Sequence, residues 1–243
     1  MKKIVIITGA SRGIGAATAI QLGGQDYQVC VNYRVNKPAA TQVVETIVKQ
    51  GGHAFAYQAD VSQEQEVIKL FNAVDRTFGP VTHLVNNAGI LFPQSKLIDM
   101  SAERINAMLT TNVTSYFLCC REALKRMLRG GAIVNVSSGA ARSGSPHEYI
   151  DYAASKGAID TLTKGLSVEV AALGIRVNGV RPGFIHTDMH ADGGEPNRIA
   201  RLSPQIPLQR GGTAQEVANC ISWLLSEQAS YVTGSIMDVT GGK

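Results

Sequence analysis

The sequence predicts one α/β domain over residues 1–243, in which a doubly wound parallel sheet of about seven strands has helices on both faces. The first observation is that short β-branched runs alternate with helix-like stretches from end to end, which is typical of a parallel sheet. The second is a glycine-rich turn directly after the first run. The third is that no low-complexity linker and no internal repeat divides the chain, whose length suits one doubly wound domain.

Local patterns predict the individual elements in order. Strands are predicted at 3–8, 28–33, 53–60, 83–89, 132–138, 175–183 and 235–239. Helices are predicted over 14–23, from Ser62, over 101–129 and 149–173, and from Thr213. Ser62 with Gln65, and Thr213 with Glu216, have the spacing of capping boxes. Residues 189–213 are rich in glycine and proline and are predicted to form a mobile substrate loop, with a plain connection as the alternative.

The composition excludes several classes of function. The formal net charge of +4 is spread without a block of lysine or arginine, so we expect no nucleic-acid partner. The sequence has no apolar run near 18 residues and no basic-then-apolar leader, so we expect a cytoplasmic protein without a membrane partner. The cysteines Cys30, Cys119, Cys120 and Cys220 lack metal-ligand spacing, which predicts reduced, buried thiols and no metal site.

A candidate nucleotide site follows the first strand. Residues 8–15 read Thr-Gly-Ala-Ser-Arg-Gly-Ile-Gly. The glycines allow a tight turn and a close approach of the backbone, and the helix that begins there offers free N–H groups to a pyrophosphate. We therefore predict that a dinucleotide binds at Gly9, Ser11, Arg12, Gly13, Ile14 and Gly15. A plain strand-to-helix turn is the alternative interpretation.

The end of the second strand indicates which dinucleotide would bind. Sites that select NAD usually place a carboxylate there, where it binds the ribose 2′-hydroxyl. This strand ends instead at Tyr33 and Arg34. A guanidinium matches a 2′-phosphate through two hydrogen bonds, and both Arg12 and Arg34 could face it. NADP(H) is therefore the predicted cofactor and NAD(H) the alternative, while either arginine alone could be an ordinary surface charge.

Tyr152 and Lys156 are the candidate reacting groups. Residues four apart stack on one face of a helix, so the phenol and the ammonium could be neighbours. A tyrosine hydroxyl holds its proton until about pH 10, but an adjacent cation lowers that pKa, as a general acid/base near neutral pH requires. An isolated pair of this kind is more often solvated helix surface, so this interpretation depends on the rest of the chain.

Together these residues resemble the short-chain dehydrogenase/reductase family along essentially the whole chain. The matching positions are Thr8, Gly9, Gly13, Gly15, Asp60, Val61, Asn86, Asn87, Ala88, Gly89, Asn112, Ser138, Tyr152, Lys156, Pro182, Gly183 and Thr187. The resemblance implies a Rossmann-type sheet in strand order 3-2-1-4-5-6-7 and a homotetramer. It also implies an enzyme that transfers hydride between a nicotinamide and a carbonyl or secondary alcohol.

The resemblance implies catalytic roles for four positions. Tyr152 would transfer the proton as general acid/base, and Ser138 would hydrogen-bond the substrate oxygen. Lys156 would bind the nicotinamide ribose and lower the pKa of the tyrosine, and Asn112 would hold a water on a proton path to solvent. The segment from Ser138 to Tyr152 is one residue longer than is usual in the family, which predicts a reshaped pocket rim at 142–149.

The resemblance also implies contacts with the cofactor. Asp60 and Val61 would contact the adenine. Asn87, Ala88 and Gly89 would pack behind the cofactor. Pro182, Gly183, Ile185 and Thr187 would hold the nicotinamide.

The substrate stays open between several chemistries. Within the family the chain is similar to bacterial 3-oxoacyl-carrier-protein reductases, but of the two arginines expected to meet an acidic carrier protein only Arg129 matches, and Leu173 occupies the second position. It is also similar to glucose 1-dehydrogenases, whose sugar would need several polar partners. Those partners could be Glu148, His147, His190, Asp192 and Glu195. Candidate pocket walls are Phe92, Glu148, Tyr149, Phe184, Met189 and His190.

An alternative of a different class is a nucleotide-binding sensor without catalysis. Such a protein should lack one of the reacting side chains that the family uses. This chain retains Ser138, Tyr152 and Lys156, which favours an enzyme.

Overall fold

The computed structural model describes residues 3–127 and 130–243, in which strands and helices alternate along the chain. The strands are β1 (Lys3–Ile7), β2 (Tyr27–Tyr33), β3 (His53–Gln58), β4 (His83–Asn86), β5 (Ala132–Val136), β6 (Arg176–Pro182), β7 (Ile185–His186), β8 (Gly212–Thr213) and β9 (Ile236–Val239). The α-helices are α1 (Gly13–Gly23), α2 (Lys37–Lys49), α3 (Glu64–Thr77), α4 (Ala102–Leu109), α5 (Ser115–Leu124), α6 (Ala140–Ser143), α7 (Ile150–Glu169), α8 (Met189–Asp192), α9 (Arg198–Leu202) and α10 (Ala214–Leu225).

Seven parallel strands form one sheet in the order β3-β2-β1-β4-β5-β6-β9. Because β7 and β8 form a separate two-stranded sheet, β9 is the seventh strand of the main sheet, and the predicted order is confirmed. The order reverses at β1, which pairs with β2 on one side and with β4 on the other. Open α/β sheets bind ligands outside the carboxyl ends of the strands at such a reversal.

Helices cover both faces of the sheet, as predicted. On one face α1, α2 and α10 bury side chains such as Leu22, Ile47 and Ile221. On the other face α3, α5 and α7 bury side chains such as Phe71 and Leu166. Successive strand residues point to opposite faces, and both faces are covered, which explains why the strands are almost continuously apolar.

The start of α3 differs from the prediction. Ser62 and Gln65 form no capping box, because the helix begins at Glu64 and its N-cap, Gln63, makes no side-chain cap. Asp60 explains the difference, since its Oδ1 accepts the Ser62 backbone N–H at 3.0 Å and the Ser62 hydroxyl at 2.7 Å. The capping box predicted at the start of α10 is confirmed.

Two further regions depart from their patterns. The helix predicted over 101–129 consists of α4 and α5 joined by a π-helical turn, Thr110–Thr114, and Arg129 lies outside the described residues. Single π-helical turns inside α-helices are frequent at functional sites, and Asn112 lies fully buried in this one. The segment 189–213 contains the short helices α8 and α9.

Within the two described ranges, no helix is both long enough and apolar enough to cross a lipid bilayer. All four cysteines are free thiols, three of them buried. Burial raises the pKa of the Cys120 thiol to about 12, so this side chain stays protonated and unreactive at neutral pH.

Candidate active site

A cavity of about 1030 Å³ lies at the carboxyl ends of the sheet strands. Its wall includes Asn87 after β4, Ser138 after β5 and Gly183 after β6. Ile14 from the glycine-rich turn lines the same cavity, as do Tyr152 and Lys156 from α7. The structure thus brings the predicted nucleotide turn and the predicted reacting groups to one cleft.

The glycine-rich turn has no room for side chains. Gly9 and Gly13 have φ values of +62° and +56°, in the left-handed region that favours glycine. A Cβ on Gly9 would lie 2.9 Å from the Ala88 Cα, and one on Gly15 would lie 2.5 Å from the Asn87 Nδ2. The turn therefore approaches the end of β4 closely, as a cradle for a phosphate must.

Hydrogen bonds attach this turn to β4. The Thr8 hydroxyl accepts the backbone N–H groups of Asn87 at 2.9 Å and Ala88 at 3.0 Å. The Asn87 Nδ2 donates to the carbonyl oxygens of Thr8 at 2.9 Å and Gly9 at 3.0 Å. A Cβ on Gly89 would lie 3.7 Å from the Lys156 Nζ, so the same segment reaches the reacting groups.

The predicted cofactor residues at the end of β2 occupy different environments. Tyr33 is 5% exposed and packs in the core, so its side chain supports the sheet rather than the cleft. Arg34 is exposed, and its Nη1 lies 4.0 Å from the Asp60 Oδ2. Asn32 was not predicted as a site residue, yet its Oδ1 accepts the Gly9 N–H at 3.3 Å. A polar residue within a buried strand was the available signal.

Arg12 precedes α1 and pairs with carboxylates from a distant part of the chain. It forms an ion pair with Asp192, and its Nη1 lies 3.7 Å from the Asp188 Oδ2. Ser11 is half-buried in the same turn. The predicted adenine contacts lie after β3, where Val61 is buried and Asp60 is half-buried.

Tyr152 and Lys156 are one turn apart on α7 and are both buried, with 9% and 3% exposure. The Lys156 Nζ lies 5.7 Å from the centroid of the Tyr152 ring. It donates to the Val136 carbonyl oxygen at 2.8 Å and to the Tyr116 hydroxyl at 3.3 Å. Two of the three donors of the ammonium are therefore engaged by the described residues.

The two serines after β5 point to different partners. The Ser137 hydroxyl is buried and donates to the Lys156 carbonyl oxygen at 3.1 Å. Ser138 is half-buried, and its hydroxyl accepts the Ala140 N–H at 3.1 Å. Burial raises the pKa of Tyr152, and hydrogen bonding by Ser138 partly offsets that rise. Of the two serines, Ser138 is therefore the one that lies beside the phenol.

Burial sets the protonation of the two reacting groups. It raises the pKa of Tyr152 to about 12, against the lowering effect of Ser138. It also lowers the pKa of Lys156 to about 7, which the charge of Asp160 opposes. The pKa of Tyr152 thus lies above its ordinary value, opposite to the lowering predicted from the neighbouring Lys156, because desolvation of the phenol dominates. Tyr152 is protonated at neutral pH.

Asn112 braces the π-helical turn. Its Oδ1 accepts the Ile90 N–H at 2.8 Å, and its Nδ2 donates to the Ile90 carbonyl oxygen at 3.0 Å and the Ser155 hydroxyl at 3.3 Å. The sequence argument missed Tyr116, whose hydroxyl donates to the Val136 carbonyl oxygen at 2.9 Å. Its position one helical turn after Asn112 was the available signal.

The predicted nicotinamide residues line the far side of the cavity. Pro182 ends β6, and a Cβ on Gly183 would lie 2.8 Å from the Thr240 Cα. A Cβ on Gly13 would lie 3.3 Å from the Thr187 Cγ2. The segment that begins at Ile185 therefore lies against the glycine-rich turn.

Two segments, 144–149 and 184–202, form the side of the cavity where substrate is predicted to bind. Five of the six candidate walls line it, namely Glu148, Tyr149, Phe184, Met189 and His190. Phe92 packs instead in the small apolar cluster that contains Tyr149 and Tyr152. The longer loop is accommodated by left-handed backbone at Gly144, Ser145 and His147.

Arg198, which the sequence argument missed, joins the two segments. Its side chain is 8% exposed, and its guanidinium forms an ion pair with Glu148 and donates to the Glu195 Oε2 at 2.7 Å. It also lies 5.0 Å from the centroid of the Tyr149 ring. Arg201 donates to the Glu195 Oε1 at 2.6 Å from the outer side. Nothing in the local pattern marks an arginine in a loop segment as buried.

Comparison with known proteins gives consistent matches along the chain. The family model described as enoyl-(acyl carrier protein) reductase matches residues 9–243. The chain is 61% identical over 245 residues to the uncharacterized oxidoreductase YgfF of Escherichia coli K12, covering 99% of both chains. It is 40% identical over 244 residues to the 3-oxoacyl-[acyl-carrier-protein] reductase FabG of Staphylococcus aureus, covering 100% of this chain and 98% of that one.

Among solved structures, the fold is similar to a short-chain dehydrogenase of Burkholderia cenocepacia J2315 in complex with NADP. The TM-score is 0.93 at 32% sequence identity, covering 100% of this chain and 98% of the other. Fold, family model and relatives therefore agree over the whole length. The chain belongs to the short-chain dehydrogenase/reductase family and is an oxidoreductase.

Proposed function

We propose that this oxidoreductase transfers hydride between NADP(H) and an apolar ketone or secondary alcohol, with Tyr152 as general acid/base. The observation that carries the proposal is that one cavity is lined both by Tyr152, Ser138 and Lys156 and by Ile14 of the glycine-rich turn. A dinucleotide on that turn would bring its nicotinamide to the phenol.

The residues of the cleft fit a dinucleotide. Gly9 and Gly15 leave backbone where any Cβ would clash, and the turn opens α1, whose first N–H groups favour an anion. When bound, the nicotinamide supplies or accepts the hydride. Pro182, Gly183, Ile185 and Thr187 would hold its ring, and Asn87, Ala88 and Gly89 would support it from β4.

The protein's own residues would handle the proton and the substrate oxygen. A phenol with a pKa near 12 carries its proton at neutral pH, and it can donate this proton in reduction because the developing alkoxide is a stronger base than the phenolate. Ser138 would hydrogen-bond the same oxygen. Lys156 is held by Val136 and Tyr116, and its remaining donor is available to a ribose hydroxyl. Asn112 would position this assembly through its contacts with Ile90 and Ser155.

The preference for NADP(H) is supported by charge. Arg34 and Arg12 follow adjacent parallel strands, so they lie at one edge of the sheet, where a 2′-phosphate would meet two guanidinium groups. Tyr33 would contribute through its position in the strand rather than through its buried ring. The Burkholderia cenocepacia relative was solved in complex with NADP, which supports NADP(H) as a cofactor.

The cavity favours an apolar carbonyl over a sugar. The carboxylates that could bind sugar hydroxyls are already paired, because Glu148 and Glu195 bind Arg198 and Asp192 binds Arg12. Tyr149, Phe184 and Met189 leave an aromatic and apolar wall. A 3-oxoacyl thioester is the second candidate, since FabG is a close relative in sequence. Leu173, which is 57% exposed, adds no charge for an acidic carrier protein.

The exposed apolar side chains of α5 and α7 support a homotetramer. Phe117 and Val168 are 51% and 70% exposed, and burying such faces between copies would be favourable. A solution mass four times 25.8 kDa would support this proposal, and a monomer mass would refute it.

The free thiols suit a reducing compartment, which supports a cytoplasmic location. We also propose that 1–243 acts as one domain and that 189–213 moves with the substrate.

A substrate panel tests the proposed function. We expect oxidation of NADPH in the presence of cyclic or aryl ketones, diketones or acetoacetyl thioesters, with slower oxidation of NADH. Aldoses with NADP should give little turnover. Binding of NADPH without turnover on any carbonyl or alcohol would favour the non-catalytic sensor instead.

A further inference from the structure

We propose that Asp192, assisted by Asp188, competes with the 2′-phosphate of NADP(H) for Arg12 and so limits the preference for NADP(H) over NAD(H). The inference rests on the proposed function, because it assumes that Arg12 meets a 2′-phosphate. It assigns a specificity-determining role to two acidic residues that lie far from the adenine end of the site in sequence.

The geometry is that of two carboxylates that clamp one guanidinium. Asp188 immediately precedes α8 and Asp192 ends it, so the two residues are four apart and share a face of that short helix. Asp192 pairs with Nη2 of Arg12, while the Asp188 Oδ2 lies 3.7 Å from Nη1. Asp192 therefore occupies one end of the guanidinium fork, and Asp188 lies within ion-pair distance of the other. These two ends carry the donors that bind a phosphate through two hydrogen bonds.

Arg34, the second arginine that could bind the 2′-phosphate, is paired more weakly with carboxylates than Arg12 is. The nearest carboxylate to Arg34 is that of Asp60, at 4.0 Å. The other oxygen of Asp60 accepts two hydrogen bonds from Ser62, which hold that carboxylate after β3. A 2′-phosphate would therefore meet Arg34 with little competition, whereas at Arg12 it would have to displace Asp192.

The cost of this displacement falls on one cofactor only. NAD(H) carries a hydroxyl in place of the phosphate and leaves the Arg12 pairing intact. NADP(H) brings about two negative charges, and two carboxylates that remained beside them would repel them. The side chains of Arg12, Asp188 and Asp192 are 53%, 70% and 46% exposed, so water and salt moderate the effect.

Binding of two small ligands tests the proposal without catalysis. Adenosine 2′,5′-bisphosphate carries the 2′-phosphate, whereas 5′-AMP lacks it, and neither carries a nicotinamide. By isothermal titration calorimetry at low salt, we expect Asp192→Asn to bind the bisphosphate about two- to fivefold more tightly, the range of an exposed ion pair, with 5′-AMP unchanged. The gain should shrink as salt is raised. Asp99→Asn, an exposed carboxylate elsewhere, is the charge-matched control and should change neither affinity.

A double-mutant cycle assigns the effect to Arg12. In an Arg12→Gln background, Asp192→Asn should change the affinity for the bisphosphate no further. The competition would be refuted if wild type and Asp192→Asn bound the bisphosphate equally while Arg12→Gln bound it more weakly. The NADP(H) assignment would survive that result. If wild type binds both ligands equally and Arg12→Gln and Arg34→Gln change nothing, the NADP(H) assignment itself fails, and the competition fails with it.

Discussion

Replacing Arg198 with methionine tests whether a buried ion-pair cluster holds the substrate side of the cavity together. Its guanidinium joins Glu148 of the longer loop to Glu195 of the segment 189–213. Methionine keeps much of the side-chain volume beside Tyr149 but removes the charge. Glu148 and Glu195 would then face each other with Arg201 as the cation beside them and the Gln94 amide as a further donor.

The structure allows the size of the effect to be worked out. Removing one partner of a fully buried pair costs about 3–5 kcal/mol. Here the carboxylates of Glu148 and Glu195 are 30% and 22% exposed, so water recovers part of that loss and we expect about 2 kcal/mol. In a chain of this length each kcal/mol shifts Tm by about 2–4 °C. Arg198→Met should therefore lower Tm by about 4–8 °C.

Arg201→Met is the matched control, because Arg201 pairs with the same two carboxylates but is 51% exposed. Exposed pairs contribute little to stability, so Arg201→Met should lower Tm by clearly less than Arg198→Met does. Both variants are measured by thermal unfolding at one protein concentration, since assembly would make Tm depend on it. Equal shifts in the two variants would refute the reasoning that burial makes Arg198 the stronger partner. Arg198→Met should also raise KM more than it lowers kcat.

Three further predictions concern the cofactor site and Lys156. Gly15→Ala should weaken NADPH binding at least tenfold in a fluorescence titration, because the added Cβ would lie 2.5 Å from the Asn87 Nδ2. Gly24→Ala is the control and should leave NADPH binding unchanged, because the atom nearest to its Cβ would be 3.6 Å away. The pKa of Lys156 is about 7 in the folded chain, against 10.5 for an exposed lysine. Between these pH values the unfolded chain binds more protons than the folded chain does. The free energy of unfolding therefore increases as pH rises from about 7 to 10.5. Lys156→Met should remove this pH dependence. In urea unfolding, the free energy of unfolding of wild type should therefore increase relative to that of the variant over the same pH range. Arg34→Asp should move the ratio of specificity constants toward NADH, and an unchanged ratio would exclude Arg34 from the phosphate site.

The fold was largely predictable because its signals are local and repeated. Apolar runs that alternate with amphipathic helices require a sheet covered on both faces, and the glycine-rich turn marks where the first strand ends. The capping box at Thr213 was predictable for the same reason, since its spacing is local. Ser62 has the same spacing, but its backbone N–H and its hydroxyl both donate to Asp60 and no capping box forms.

The candidate site was predictable in outline and not in its energetics. Motif positions after strands indicated that Ser138, Tyr152 and Lys156 would meet. Spacing alone suggested that Lys156 would lower the pKa of Tyr152, whereas the depth of burial, which a sequence does not reveal, reverses that shift. The pairing of Arg198 with Glu148 spans 50 residues, and only tertiary structure brings them together.

The turnover of Tyr152→Phe tests the central claim most directly. The substitution removes the phenolic hydroxyl and keeps the ring, and we expect kcat to fall by about 10²–10⁴-fold while the affinity for NADPH stays within about threefold. Tyr149→Phe is the matched control, since that hydroxyl also lies at the cavity and donates to the Gly193 carbonyl oxygen at 3.3 Å; it should keep most of its turnover. Turnover in Tyr152→Phe equal to that of wild type would contradict the assignment of Tyr152 as the proton donor.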